Sequence, residues 1–322
     1  MFVIIGTANV DLLVSGFATL PGDGSDEFTT SNLVFCDAPL QMVLGGNGGN
    51  GAYVLAGLGA PTVLCSAIGC DPLGDLVSGW LAARAVDLTG LVRNPHEATA
   101  FTTIVMDNQR NRLAFHHPGA LATFADKDLP SSLLQAVRVL LITSYPILPQ
   151  FRPAGYAKLL AQAQASGAIT AVDIGPAIGQ PAHLAELIPL LPTIDYLIAN
   201  QHELAVCTGE ADVEQGALRV LQAGARCVIV KLGKAGAAFC TVNHGYTPVP
   251  GFSVAARSTV GAGDAFNAGL LYALHQGESV TAAVRFGNAV AALTVASERG
   301  ILGSPTLVEV EDFLRGRTGE NA

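Results

Sequence analysis

The sequence predicts an α/β protein, a doubly wound, mostly parallel sheet with helices on both faces and a small β-sheet appendage. Three observations carry that expectation. Short β-branched runs alternate with Ala/Leu-rich stretches over most of the 322 residues, the rhythm of βαβ units. Several of those runs lack polar alternation, as strands covered on both faces do. Two segments, 12–44 and 99–117, break the rhythm.

In chain order, buried strands are expected at 2–5, 62–68, 139–143, 169–172, 196–199 and 227–231. Helices are expected at 48–59, 72–85, 154–166, 213–223, 262–276 and 279–297. Segment 12–44 carries Thr, Val, Phe and Ser around a turn at Pro21-Gly22-Asp23-Gly24, and 99–117 alternates through Thr103, Val105, Arg112 and Phe115. Both are expected to be hairpin strands outside the main sheet, forming one appendage to a single domain spanning 1–322. Only the tail after Arg315 looks frayed.

Half of the residues are apolar and 13% are charged, which supplies a large core and excludes disorder, collagen and a disulfide-stapled miniprotein. Cysteines at 36, 65, 70, 207, 227 and 240 form no CxxC pair and no zinc spacing with histidine. They are expected to be small buried residues in a reducing compartment, the cytoplasm. Met1 to Gly16 lacks a basic n-region and a small-residue cleavage site, so it is expected to be a first strand and not a signal peptide. The uncharged run from Ala38 to Cys70 is broken by glycines and Pro61, which argues against a membrane span. The net charge is −9 with no basic stripe, so no nucleic-acid partner is expected.

Glycine is the compositional outlier, with 36 of 322 residues against an average near 7%, and many sit in two clusters. The first, Gly45-Gly46-Asn47-Gly48-Gly49-Asn50-Gly51, formally contains GxGxxG, and Asp71 follows about 20 residues on, as a dinucleotide fold requires. Two features weaken that match: the first strand lies some 40 residues upstream, and Asp71 precedes Pro72-Leu73-Gly74, where an acid serves as a helix cap. Close helix packing is the other ordinary explanation. The two asparagines fit it less well, because Asn50 can offer a donor and an acceptor to a polyhydroxylated ligand.

The second cluster, Ser258-Thr259-Val260-Gly261-Ala262-Gly263-Asp264, opens a helix. Small residues there leave backbone N–H groups exposed at a helix N-terminus, which attracts an anion and suits the charge of a transferring phosphoryl group. Asp264 beside it is placed to take a proton from an attacking hydroxyl. The simpler role for Asp264 is to complement the helix dipole, a contribution of ~0.3–1 kcal/mol.

These residues resemble the ribokinase-like, or pfkB-type, carbohydrate kinases. Thr259, Gly261, Ala262, Gly263 and Asp264 match the C-terminal signature Asp-Thr-x-Gly-Ala-Gly-Asp, and Gly45, Gly46 and Asn50 match the N-terminal one. Gly6 and Asp11 precede the two signatures, and Gly69 to Gly74, Pro118 to Ala120, Asn200 to Glu203 and Lys231 to Gly236 fall between them in the family's order, the whole covering roughly 2–312. The dinucleotide reading recedes accordingly.

The resemblance implies an ATP- and Mg²⁺-dependent kinase. Asp264 would be the base, and the Gly261, Ala262 and Gly263 amides the anion hole. Asp11, Gly45, Gly46 and Asn50 would bind the sugar. Asn200 and Glu203 would face the phosphates and a hydrated Mg²⁺, with Glu203 acting through water, or would be a plain capping box. Lys231, Gly233, Gly236, Thr259 and Asn288 would line the nucleotide, and 12–44 with 99–117 would become a lid. Ser258 stands where the family has an acid that helps hold a monovalent cation, which puts potassium activation in doubt.

Before Arg84 there is no Lys or Arg, while seven acids stand there. That favours a non-phosphorylated acceptor. Arg110, Arg112, His116 and His117 leave an acidic sugar open, or else form a solvated hairpin edge. Nucleosides are the rival acceptors, with Phe17, Phe28, Phe35 and Phe101 as stacking candidates that are more often core. A non-catalytic sugar or nucleotide sensor is the alternative of another class, although a sensor has no need of the base. A homodimer through an apolar lid face (Val14, Phe17, Leu33, Phe35 and Leu40) is left open.

Overall fold

The structure, a computed structural model, describes residues 1–17, 35–109, 111–130, 132–176 and 179–317. Its first elements are β1 (Phe2–Ile5), β2 (Asn9–Phe17), β3 (Gln41–Gly45), α1 (Asn47–Gly57), β4 (Thr62–Gly69), α2 (Pro72–Ala83), β5 (Leu91–Asn94), β6 (Phe101–Asp107) and β7 (Arg112–His117). The chain continues through β8 (Val139–Ile142), α3 (Ala154–Ala165), β9 (Ile169–Asp173), α4 (Leu184–Leu187), β10 (Tyr196–Asn200), α5 (Gln201–Thr208) and α6 (Val213–Gln222). It ends with β11 (Cys227–Lys231), β12 (Gly236–Thr241), β13 (Gly245–Pro250), α7 (Ala262–His275), α8 (Val280–Ala296) and α9 (Leu307–Gly316).

Nine strands form one sheet in the order β13-β12-β11-β10-β9-β8-β1-β4-β5. It is parallel from β5 to β11 and antiparallel at β12 and β13. The period of two sorts β1 onto both faces. Val3 and Ile5 join Tyr156, Leu159 and Leu160 of α3 on one side, while Phe2 and Ile4 meet Val54 and Leu55 of α1 and the apolar face of α7 on the other. Full burial of each large apolar side chain contributes roughly 1.5–3 kcal/mol, and burial on both faces explains why these strands show no polar alternation.

The two segments that break the rhythm form a second sheet, ordered β3-β2-β6-β7. β2 runs antiparallel to β3 and parallel to β6, and β6 and β7 form a hairpin. Parallel pairing of β2 with β6 joins the two insertions into one body. The Pro21-Gly22-Asp23-Gly24 turn, Phe28, Leu33 and Arg110 lie outside the described residues.

Two differences from expectation stand out, and one expectation is met. β12 and β13 were not expected as strands, because Gly236, Pro248 and Pro250 carry turn chemistry. Pro248 and Pro250 lie on β13, at the sheet's edge, where a missing N–H is tolerated. Cys36 and Cys70 are exposed, whereas the other four cysteines are buried, and all six are free thiols. Asp71 caps α2: Gly74 N–H donates to Oδ1 at 2.8 Å, while Thr99 donates its hydroxyl to Oδ1 and its N–H to Oδ2, both at 2.7 Å. Both oxygens are engaged, one of them in the capping role expected for an acid before Pro72. Among the described residues no helix is long and apolar enough to cross a membrane.

Candidate active site

Three adjacent parallel strands deliver the first group of polar residues. Asp173, Asn200 and Lys231 end β9, β10 and β11, with Asn200 level with Lys231 in the pairing register. Ligands of open α/β sheets gather at such carboxyl ends. Asn200 and Glu203 form a reciprocal capping box at the head of α5: Asn200 N–H donates to Glu203 Oε2 at 2.7 Å and Glu203 N–H to Asn200 Oδ1 at 2.8 Å. The ordinary cap is therefore present. Glu203 is also buried, and burial followed by the nearby Asp173 charge pushes its carboxyl up to about 7.

Lys231 Nζ donates to Asp173 Oδ2 at 2.6 Å. Burial works against the ammonium, but the Asp173 and Glu203 charges outweigh it and hold its pKa above the usual lysine value. Asp173 also accepts from Asn267 Nδ2 on α7 and, through Oδ1, from Gly175 N–H at 3.0 Å. Sequence reasoning missed Asp173 and Asn267. The available signal was an acid at the carboxyl end of an expected parallel strand.

The head of α7 supplies the second group. Gly261 caps the helix at φ 77°, a left-handed conformation that glycine adopts without steric cost. A Cβ on it would also lie 3.0 Å from Ile301 Cδ1. Ala262 N–H bonds to Thr259 O at 3.3 Å, so of the three expected anion-hole amides this one is already partly used. Gly261 and Gly263 N–H meet no backbone acceptor among the described residues. A Cβ at Gly263 would stand 3.4 Å from Lys231 Nζ, which places the ammonium beside the nest.

Asp264, on the first turn, is buried, and its Oδ2 accepts from Asn50 Nδ2 at 2.8 Å. Burial dominates its titration and pushes the carboxyl up to about 7, opposed by the Asn50 hydrogen bond and the Lys231 charge. Asn50 Oδ1 is buried with no partner. The asparagine thus commits its donor to Asp264 and keeps its acceptor open, in place of offering both to a ligand.

The third group surrounds the head of α1. Gly46, at φ 82°, leads into the helix, and a Cβ on it would reach Thr7 O at 2.5 Å. A Cβ on Gly45 would strike the Asp11 carboxylate, also at 2.5 Å. Gly48 N–H lies against Gly6, whose added Cβ would be 2.8 Å from Gly48 Cα, so the packing explanation holds for part of the cluster. Asp11 is buried, with Oδ1 accepting from Asn9 Nδ2 at 2.6 Å. Burial raises its pKa, while hydrogen bonds from Asn9 and Thr102 oppose the shift. Thr102 Oγ1 lies 3.1 Å from His116 Nδ1 on β7, linking the small sheet to this carboxylate. Arg112 is exposed, Phe17 is buried, Phe35 is 81% exposed, and Phe101 lies against the His117 ring.

Beyond Lys231 opens a cleft of ≈ 620 Å³, lined among others by Gly233, Gly236, Thr259, Gly263 and Asn288. Asn288 Nδ2 donates to Val249 O and Pro250 O, each at 3.2 Å, so it fastens the end of β13 as well as facing the cleft. Ser258 Oγ accepts from Val260 N–H at 3.3 Å. Among the described residues no three acidic, histidine or cysteine side chains cluster as a metal cage. A hydrated Mg²⁺ needs few protein ligands, and the buried Glu203 carboxylate, with Asn200 beside it, is the group that would hold it through water.

A ribokinase of Haemophilus influenzae is 29% identical over 319 residues, covering 97% of each chain. Fructokinase-2 of Zea mays is 25% identical over 284 residues, covering 84% of each. The structure of a ribokinase of Arabidopsis thaliana, complexed with ribose and ATP, superimposes with a TM-score of 0.84 at 23% identity, over 98% of both chains. Residues 26–307 match the pattern described as pfkB family carbohydrate kinase. The chain therefore belongs to the pfkB family of carbohydrate kinases, with the ribokinase-like fold.

Proposed function

We propose that the protein transfers the terminal phosphoryl group of ATP to a hydroxyl of a small, non-phosphorylated sugar. One observation carries this: Asp264, held by Asn50 at 2.8 Å, stands on the first turn of a helix whose Gly261 and Gly263 N–H groups are open to an anion. In the step, Asp264 takes the hydroxyl proton as the sugar oxygen bonds to phosphorus, and the bond from phosphorus to the ADP oxygen breaks. The open amides receive the charge that gathers on the transferring group. Mg²⁺, when bound, would offset charge on the phosphate oxygens, and Glu203 and Asn200 are the residues that would hold it through water. Lys231, Gly233, Gly236, Thr259 and Asn288 line the nucleotide.

On the acceptor side, Asp11 and Asn50 Oδ1 are acceptors for sugar hydroxyls, and Gly45 and Gly46 let the backbone approach them. No lysine or arginine precedes Arg84 in the sequence, which supports an acceptor without a phosphate of its own. Chain 1–322 acts as one catalytic unit with the small sheet as its lid, excluding water from the transfer. Leu40, Met42, Leu113 and Phe115 on or beside that sheet are exposed, so a homodimer through the lid is the association to test by light scattering.

The deciding experiment offers ribose, fructose, 2-keto-3-deoxygluconate, adenosine and inosine with Mg-ATP and follows ADP. Turnover of a free sugar is expected, and turnover of nucleosides alone would replace the acceptor class. Asp264→Asn separates a kinase from a sensor: turnover should fall by about 10²–10⁴-fold while sugar still raises the melting temperature.

A further inference from the structure

We propose that Asp173 is a positioning residue that holds the Lys231 ammonium against the Gly263 side of the amide nest, making Lys231 the fixed positive charge that meets the transferring phosphoryl oxygens. The inference rests on the kinase reading and deepens it by assigning a charge to the transfer step and a residue that aims it.

The geometry is specific. Lys231 Nζ lies 2.6 Å from Asp173 Oδ2 and 3.4 Å from the Cβ position of Gly263. The lysine side chain is 14% exposed and Asp173 is 1% exposed, and Lys231 lines the cleft together with Gly263 and Thr259. An ammonium has three donors, so a single bond to Asp173 orients it and leaves two for oxygens entering from the cleft.

Asp173 itself has little capacity left. Oδ1 takes Gly175 N–H, and Oδ2 takes both Lys231 and Asn267. Asn267 lies one turn along α7 from Gly263 and Asp264, and its Oδ1 is buried without a partner, so Asp173 alone orients that amide. One buried carboxylate therefore ties the end of β9, the end of β11 and the first turns of α7 into a fixed relation. Fold stability is a poor explanation for it, because desolvation of a buried pair consumes most of what the pair gains, and apolar residues of similar volume serve as well. Fixing a charge where negative charge develops is what such a pair does better.

The groups facing Lys231 are Asp173 from β9, Glu203 from α5 and Asp264 from α7. Their arrangement gives the test a sign. Lys231→Met removes a cation beside Asp264 and should move the acid limb of the rate to higher pH. Asp173→Asn removes a like charge and should move it to lower pH. These displacements follow from the charges alone and show that the variants are folded with the site intact; contact with the transferring group is read from kcat and from binding of its mimic.

With the sugar that the substrate panel identifies, Lys231→Met should lower kcat on the order of 10²-fold with sugar KM within about threefold, and Lys231→Arg should recover part of the loss. Independently of turnover, calorimetry with ADP plus aluminium fluoride, a mimic of the transferring group, should show binding at least about tenfold weaker in Lys231→Met, with ADP alone little changed. If Lys231→Met does not fold, the near-isosteric Asp173→Asn and Lys231→Arg carry the same comparisons. Unchanged kcat and equal fluoroaluminate binding in folded variants would overturn the proposal. A wild-type protein that binds ADP but gains nothing from aluminium fluoride, and phosphorylates no acceptor, would instead overturn the kinase reading.

Discussion

Asn50 Nδ2 donates to Asp264 Oδ2 at 2.8 Å across 214 residues of chain, joining the helix that follows the first glycine cluster to the helix that follows the second. In the proposed reaction acceptor recognition and proton abstraction would thus be mechanically continuous: the amide bonded to Asp264 leaves its other atom, Oδ1, without a protein partner. Asn50→Ala should raise sugar KM and lower kcat together. Loss of a hydrogen bond to a charged group, ~1.5–3 kcal/mol, corresponds to about 10–100-fold in kcat/KM near pH 7, and the acid limb should move upward because that bond holds the Asp264 carboxyl down. Steady-state kinetics across pH 5.5 to 9, roughly the range in which such groups titrate, check both effects.

The pH dependence follows from burial. Asp264 and Glu203 are both pushed up to about 7, so turnover should rise through neutral pH as they lose protons. Stability should move the other way. Burial holds the folded Asp264 carboxyl above its ordinary value of 3.8, so the native state binds the proton more tightly and stability falls as pH rises from there to about 7. Asp264→Asn keeps the acceptor for Asn50 and should be more stable than wild type at pH 8, on the order of 4 kcal/mol. Thermal denaturation at pH 5 and pH 8 reads this: the two proteins should differ more at the higher pH.

Gly45 has no room for a side chain, since an added Cβ would lie 2.5 Å from the Asp11 carboxylate. Gly45→Ala should displace that carboxylate and raise sugar KM by about 10–100-fold, the scale of a misplaced binding group. Affinity for ADP alone should stay near wild type, because Gly45 is not among the residues that line the cleft beyond Lys231. Equal losses for both ligands would show general damage to the fold.

Replacement of potassium by sodium should leave turnover unchanged. Ser258 provides no carboxylate, and the adjacent Val295 carbonyl already accepts N–H bonds from Arg257 at 2.7 Å and Ser258 at 3.3 Å. Ser258→Asp should introduce a preference for potassium if the remaining carbonyls are suitably placed, and rates in matched chloride salts measure it.

The fold was largely legible because its signals are local. β1, β4 and β8 to β11 are short apolar runs, and α1, α2 and α7 each follow glycine or a capping acid. β12 and β13 were hidden because Gly236, Pro248 and Pro250 look like turns and become strand only beside β11. In the site, Gly261 to Asp264 stand next to one another in sequence, so their chemistry could be read directly. Asp173 could not: a lone acid gains meaning only when Lys231 and Asn267 arrive from elements 58 and 94 residues away. The same limit concealed the destination of the Asn50 donor.

The wide parallel sheet ends on two strands that are poor templates. β13 carries Pro248 and Pro250, which cannot donate, and β5 is only four residues long with Arg93 in it. Edges made this way resist edge-to-edge pairing. A chain with half of its residues apolar can therefore carry a nine-stranded sheet whose edges do not invite growth into a continuous ribbon.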